Sequence, residues 1–169
     1  MDKRTQQNEL VSKDEWYTPQ SFQSVLGEFD TDPCAAPKEI RPYQTAKVCY
    51  DKSDDGLTKE WYGIVWLNPP YNSKLIRLFV EKLAQHGDGI ALLANRVDNL
   101  LFQELIFKKA TSMIFLRKRI RFINPDGQNK SPMMGYVLVA FGEECDKRLQ
   151  NCGLQGKYVK LNDYERDFR

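Results

Sequence analysis

Four consecutive residues, Asn68-Pro69-Pro70-Tyr71, carry the most specific chemistry in this chain. Neither proline has an N–H, so the turn offers carbonyl oxygens and the Asn68 amide and almost no backbone donors. Such a turn suits a ligand that donates hydrogen bonds. An exocyclic amino group donates two, and acceptors from the Asn68 side chain and the Pro69 carbonyl would hold it while turning its nitrogen lone pair out of the ring's conjugation. Tyr71 adds a flat face against which a planar base extruded from a duplex can stack. Taken as four residues alone, the motif also reads as a stiff strand-to-helix turn in which Asn68 caps its own backbone.

Three further groups bear chemistry. Asp32-Pro33 and Asp54-Asp55-Gly56 place carboxylates at turns, where they either receive a ligand's amino or hydroxyl groups or simply end a strand and face water. Arg117-Lys118-Arg119-Ile120-Arg121 is a basic run that would meet phosphates without reading bases, with Arg117, Arg119 and Arg121 on one face if extended. The polar stretch from Asn124 to Met134, with Asn124, Asp126, Gln128, Asn129 and Lys130, is the place for base-edge contacts. Arg96 and Asp98, after an apolar run, are positioned either to face the site or to form a salt bridge or cap within residues 95–99.

These residues need elements to position them. Gly63–Leu67 and Gly89–Ala94 are continuous apolar runs, the pattern of strands buried on both faces, and Ser112–Leu116 and Tyr136–Phe141 are further strands. Helices are expected from Ser73 to His86, with Leu75, Leu78, Phe79 and Leu83 as its apolar stripe, and from Leu100 to Lys109. A short helix with Thr18 as N-cap and Pro19 at its first position ends at Gly27, and Glu28–Asp32 is extended. Strands alternating with helices imply a mostly parallel sheet flanked by helices, with ligand sites at the strands' carboxyl ends. Asn68 and Asp32 then fall at that edge, and the helix opening at Thr18 offers amides to an anion.

The chain has 169 residues, 41% of them hydrophobic, enough for one domain over residues 14–169 behind a polar tail at 1–13. Net charge is only +2, yet Arg96 to Lys130 holds eight basic residues against three acidic ones, so any polyanion site is local. Four cysteines without a CxxC pair, beside one histidine, predict no metal site and free thiols in a reducing, cytoplasmic setting. Residues 1–10 lack the apolar core of a secretory leader, and no run reaches the roughly 18 apolar residues of a membrane span.

Trp16-Tyr17-Thr18-Pro19, Asp32-Pro33-Cys34-Ala35, Asp55-Gly56-Leu57, Trp61, Asn68-Pro69-Pro70-Tyr71, the Arg96/Asp98/Phe102 spacing and Pro125-Asp126-Gly127 together resemble the phage-type, Dam-like DNA N6-adenine methyltransferases, from about Asp14 to Gly142. The resemblance implies a Rossmann-like fold, S-adenosylmethionine as cofactor, and methyl transfer to the amino nitrogen of an adenine flipped from DNA. It also implies a phage or prophage origin and a place in restriction-modification. Asn68, Pro69 and Tyr71 would then be catalytic. Trp16, Thr18, Pro19, Asp32, Cys34, Asp55 and Asn68 would hold the cofactor, with Trp16, Tyr17 or Phe29 as aromatic lining for its cation. Arg96, Arg117, Lys118, Arg119, Arg121, Asn129 and Lys130 would contact DNA. One departure is that Ala36-Pro37-Lys38 follow where methyltransferases usually carry a glycine-rich turn. Three readings follow: a DNA adenine methyltransferase, a methyltransferase acting on RNA bases or protein glutamine, and a catalytically silent nucleic-acid-binding module.

Overall fold

The computed structural model describes residues 17–124 and 128–161. A one-turn helix α1 (Gln20–Gln23), prolonged by a 3-10 turn at Ser24–Leu26, precedes strands β1 (Thr31–Asp32), β2 (Val48–Cys49) and β3 (Val65–Leu67). Helix α2 (Ser73–His86), strand β4 (Gly89–Ala94), a π-helical turn (Leu101–Ile106) running into α3 (Phe107–Lys109), and strand β5 (Ser112–Leu116) follow. The chain continues through a small hairpin, β6 (Phe122–Ile123) with β7 (Asn129–Lys130), then β8 (Tyr136–Phe141), α4 (Glu143–Asn151) and β9 (Gly156–Lys160).

Seven strands form one sheet in the order β2-β1-β3-β4-β8-β5-β9. Pairs β1/β2, β1/β3 and β3/β4 are parallel, whereas β8 runs antiparallel to both β4 and β5, and β9 antiparallel to β5. The expected mostly parallel, Rossmann-like sheet is therefore corrected to a mixed one with most of its paired residues in antiparallel ladders. The reason is physical. All six residues of β8 are buried, and a strand covered on both faces reads as the same apolar run whichever way it points. Strands β1 to β5 nonetheless share a direction, so their carboxyl ends lie along one edge of the sheet.

Alternate residues feed two cores. Trp66, Ile90, Leu92, Leu138 and Ala140 pack on one face with Leu26, Phe29, Cys145 and Leu149. Val65, Leu67, Ala91, Leu93, Val137 and Val139 pack on the other with Phe79, Val80, Leu83, Phe102 and Ile106. Helix α2 starts where the Asn72 side chain accepts from the Lys74 and Leu75 N–H groups, and it stops at Gly87, whose φ of 86° is left-handed. Its buried face is Phe79, Val80 and Leu83, while Leu75 and Leu78 of the expected stripe are exposed.

Two other expectations are corrected. Pro19, not Thr18, takes the N-cap position of α1, with ψ at 136° and no side-chain cap, and the α-helix is four residues long. Too few amides converge there for an anion site. The segment 100–109 is helical but opens as a π turn, begun by Asn99, whose Oδ1 accepts from Phe102 N at 3.0 Å. Among the described residues no helix is long and apolar enough to cross a membrane, and no cluster of His, Cys, Asp and Glu is placed to hold a metal.

Candidate active site

The turns after β1 and β3 bound a small cleft of about 50 Å³, lined by Tyr17, Thr18, Asp32, Cys34, Trp66 and Asn68 together with Arg41, Pro42, Tyr43 and Thr45. Asp32 ends β1 and is 3% exposed. Its Oδ2 accepts from the Thr45 hydroxyl at 2.5 Å and its Oδ1 from Cys34 N at 2.9 Å. Burial outweighs these bonds and lifts the carboxyl to a pKa of about 6, with the Arg41 charge opposing the rise. Burial of the thiol, with the Asp32 charge beside it, raises Cys34 well above its ordinary pKa.

Asn68 stands at the carboxyl end of β3, and its Nδ2 donates to Thr18 Oγ1 at 3.4 Å. The Tyr43 hydroxyl donates to the Thr18 carbonyl at 2.9 Å, so one residue ties both walls of the cleft. Pro69 is buried, and the Pro70 carbonyl already accepts from Asn72 N at 2.8 Å. Two acceptors remain without a donor among the described residues, Asn68 Oδ1 and the Pro69 carbonyl. Tyr71 turns a largely exposed ring outward while its hydroxyl is hydrogen-bonded to that of Tyr136, the rings meeting edge to face at 6.4 Å. Burial pushes the Tyr136 hydroxyl far up, so this brace stays protonated.

Asp55 is not in the cleft. It is exposed at φ 55°, and its carbonyl accepts from Thr58 N and Thr58 Oγ1, both at 2.9 Å. Its loop nevertheless touches the site from behind, since a Cβ on Gly56 would lie 2.1 Å from the Pro33 carbonyl. Phe29 is also withdrawn, packed against Trp66 at 5.3 Å and beneath Arg148. Pro19 stands beside the cleft as the α1 cap, and Trp16 lies outside the described residues. Trp66, Arg41, Tyr43 and Thr45 line the cleft without having been singled out in the sequence. Trp66 was findable, because it lies two residues before Asn68 on β3 and so shares its face.

The basic residues are exposed at the same edge but do not form the expected row. Arg117 to Ile120 follow β5 as a bend, not a strand, and Ile120 is buried. Arg117 turns toward a shallow groove of about 700 Å³ between α4 and β9, beside Leu149, Leu154 and Tyr158. Arg119 reaches the Pro132 carbonyl at 3.4 Å, while Lys118, Arg121 and Arg96 face water. The β6/β7 hairpin carries exposed Asn129 and is joined to the cleft through paired backbone bonds between Tyr17 and Ile123 at 2.9 and 3.0 Å. The Lys130 side chain and residues 125–127 lie outside the described part.

One edge of the mixed sheet thus carries a buried carboxylate, an Asn-Pro-Pro-Tyr turn and exposed cations. Residues 5–148 match the family model for DNA N-6-adenine-methyltransferase (Dam), and the chain belongs to that family. The family implies DNA adenine methyltransferase activity and DNA as substrate. No curated protein and no solved structure matches the chain.

Proposed function

We propose that this chain transfers a methyl group from S-adenosylmethionine to the exocyclic amino nitrogen of an adenine turned out of DNA. The carrying observation is the pair of successive acceptors without donors among the described residues, Asn68 Oδ1, on a residue that lines the cleft with Asp32, and the carbonyl of the next residue, Pro69. An adenine amino group brings two N–H donors, and this pair matches them. Accepting both draws the nitrogen toward tetrahedral geometry and raises the electron density it presents. Tyr71, braced through Tyr136, stacks on the extruded base.

The chemistry of the cleft's lining supports this cofactor, at the scale of its charged end-groups. Asp32 is a carboxylate suited to an ammonium, Tyr17, Tyr43 and Trp66 are aromatic walls suited to a cation, and Thr18 and Asn68 close the rim. When bound, S-adenosylmethionine supplies an electrophilic methyl on a sulfonium. Asn68 and Tyr71 align the acceptor, and the buried walls exclude water. Arg96, Lys118, Arg119 and Arg121, with Asn129 on the hairpin, meet the duplex, the cations on phosphates and the amide on bases.

Incubation with methyl-labelled S-adenosylmethionine and unmethylated DNA, followed by nucleoside digestion and mass detection, tests the reading. N6-methyladenine is expected from the parent protein. Asn68→Ala is expected to lower its formation by about 100-fold or more while duplex affinity stays within about twofold. Methyl transfer to RNA or protein instead of DNA would reassign the acceptor, and transfer unchanged in Asn68→Ala would remove Asn68 from the chemistry.

A further inference from the structure

The cleft beside Asp32 contains a cation that neither the sequence motifs nor the family match assigns. Arg41 lines it together with Asp32, Thr45 and Asn68. Its own loop fixes the guanidinium, with Nε donating to the Ala36 carbonyl at 3.0 Å and Nη1 to Gln44 Oε1 at 3.0 Å. Nη2 has no hydrogen-bond partner among the described residues. Arg41 and Asp32 share the cleft without closing into an ion pair within 4.0 Å, and each Asp32 oxygen, with one donor from Thr45 or Cys34 N, can accept another. A carboxylate and a guanidinium held side by side but apart are complementary to a zwitterion, whose ammonium and carboxylate sit on one carbon. The cleft's small volume suits such an end-group, and α1, with Pro19 at its cap and a single turn, offers no competing anion site.

We infer that Arg41 and Asp32 together grip the α-amino acid end of the cofactor, Asp32 receiving the ammonium and Arg41 the carboxylate. This rests on the methyltransferase reading above and adds to it the residue that recognises the cofactor's anionic group. Arg41 is a binding residue in this scheme and takes no part in the methyl transfer. Tyr43, two residues on, holds the Thr18 wall and so keeps the loop bearing Arg41 over the cleft.

Calorimetric titration with two ligands separates the possibilities: S-adenosylhomocysteine, which carries the amino acid end, and 5′-methylthioadenosine, which lacks it. Arg41→Ala is expected to weaken S-adenosylhomocysteine binding by about 10- to 100-fold and to leave 5′-methylthioadenosine within about twofold. Arg41→Lys, which keeps the charge but not the fork, is expected to recover part of the affinity. Equal weakening of both ligands would reduce Arg41 to a support for its loop and overturn the inference. Unchanged S-adenosylhomocysteine binding would overturn it too, with the methyltransferase reading intact. A parent protein that binds neither ligand would overturn both.

Discussion

On the proposed reading, Asp32 is the residue at which folding and ligand binding pull in opposite directions. Its carboxyl is raised from an ordinary 3.8 to about 6, chiefly by burial. Between those values the folded chain holds a proton that the unfolded chain has released, so stability increases as pH falls from about 6 toward 4 and is lost as pH rises through 6. Above pH 7 the ionised group costs roughly 2 to 3 kcal/mol. Asp32→Asn keeps an acceptor for Cys34 N and is expected to stabilise the ligand-free protein at pH 7.5 by up to about that amount, while flattening the rise toward pH 4.5 and weakening cofactor binding. Urea denaturation at the two pH values reads the first effect; an Asn variant less stable than the parent at pH 7.5 would contradict it. The placement of Asp32 and Asn68 was legible in the sequence because each stands at the end of an extended segment, whereas Thr18 and Cys34 were named for the site through the family resemblance. Arg41 and Tyr43 were not, since residues 33–45 carry no periodicity and only the folded loop returns them to the cleft.

At the scale of elements, the loop Asp54–Trp61 is clamped from α2. Lys82 Nζ donates to the carbonyls of Leu57 at 2.7 Å and Lys59 at 2.5 Å and sits 4.8 Å from the centre of the Trp61 ring. Trp61 Nε1 in turn donates to the Gly56 carbonyl at 2.8 Å, and Gly56 abuts Pro33 behind Asp32. Lys82→Met is expected to cost roughly 1 to 2 kcal/mol and to accelerate amide exchange over residues 55–61, with little change in β4 and β8. Hydrogen exchange by mass spectrometry checks this, and protection falling evenly across the sheet would argue against a local clamp. The long strands and α2 were legible from apolar runs and their caps. Strand β9 and helix α4 were not read, because after Phe141 the apolar residues are few and the helix is largely charged. The direction of β8 was invisible for the reason that buried strands look alike either way.

At the scale of the whole molecule, a net charge of +2 conceals a polar division, with Arg96, Lys118, Arg119 and Arg121 exposed at the edge that also bears Asn68 and Tyr71. Duplex binding is therefore expected to weaken steeply with salt. Replacing Arg119 and Arg121 together by Ala should lower affinity across unrelated sequences and reduce the logarithmic salt slope by about one for each phosphate no longer neutralised. Fluorescence anisotropy at several salt concentrations measures both, and an unchanged slope would remove these two residues from the interface. The insertion of β8 between β4 and β5 has a temporal consequence as well. A nascent chain emerging in order makes β4 and then β5 with no neighbour to join them, and each keeps an open edge until Tyr136–Phe141 arrives. The sheet that gathers the cleft and the cations into one edge thus closes only after most of the chain has been synthesised, and until then the two apolar strands remain available to the wrong partner.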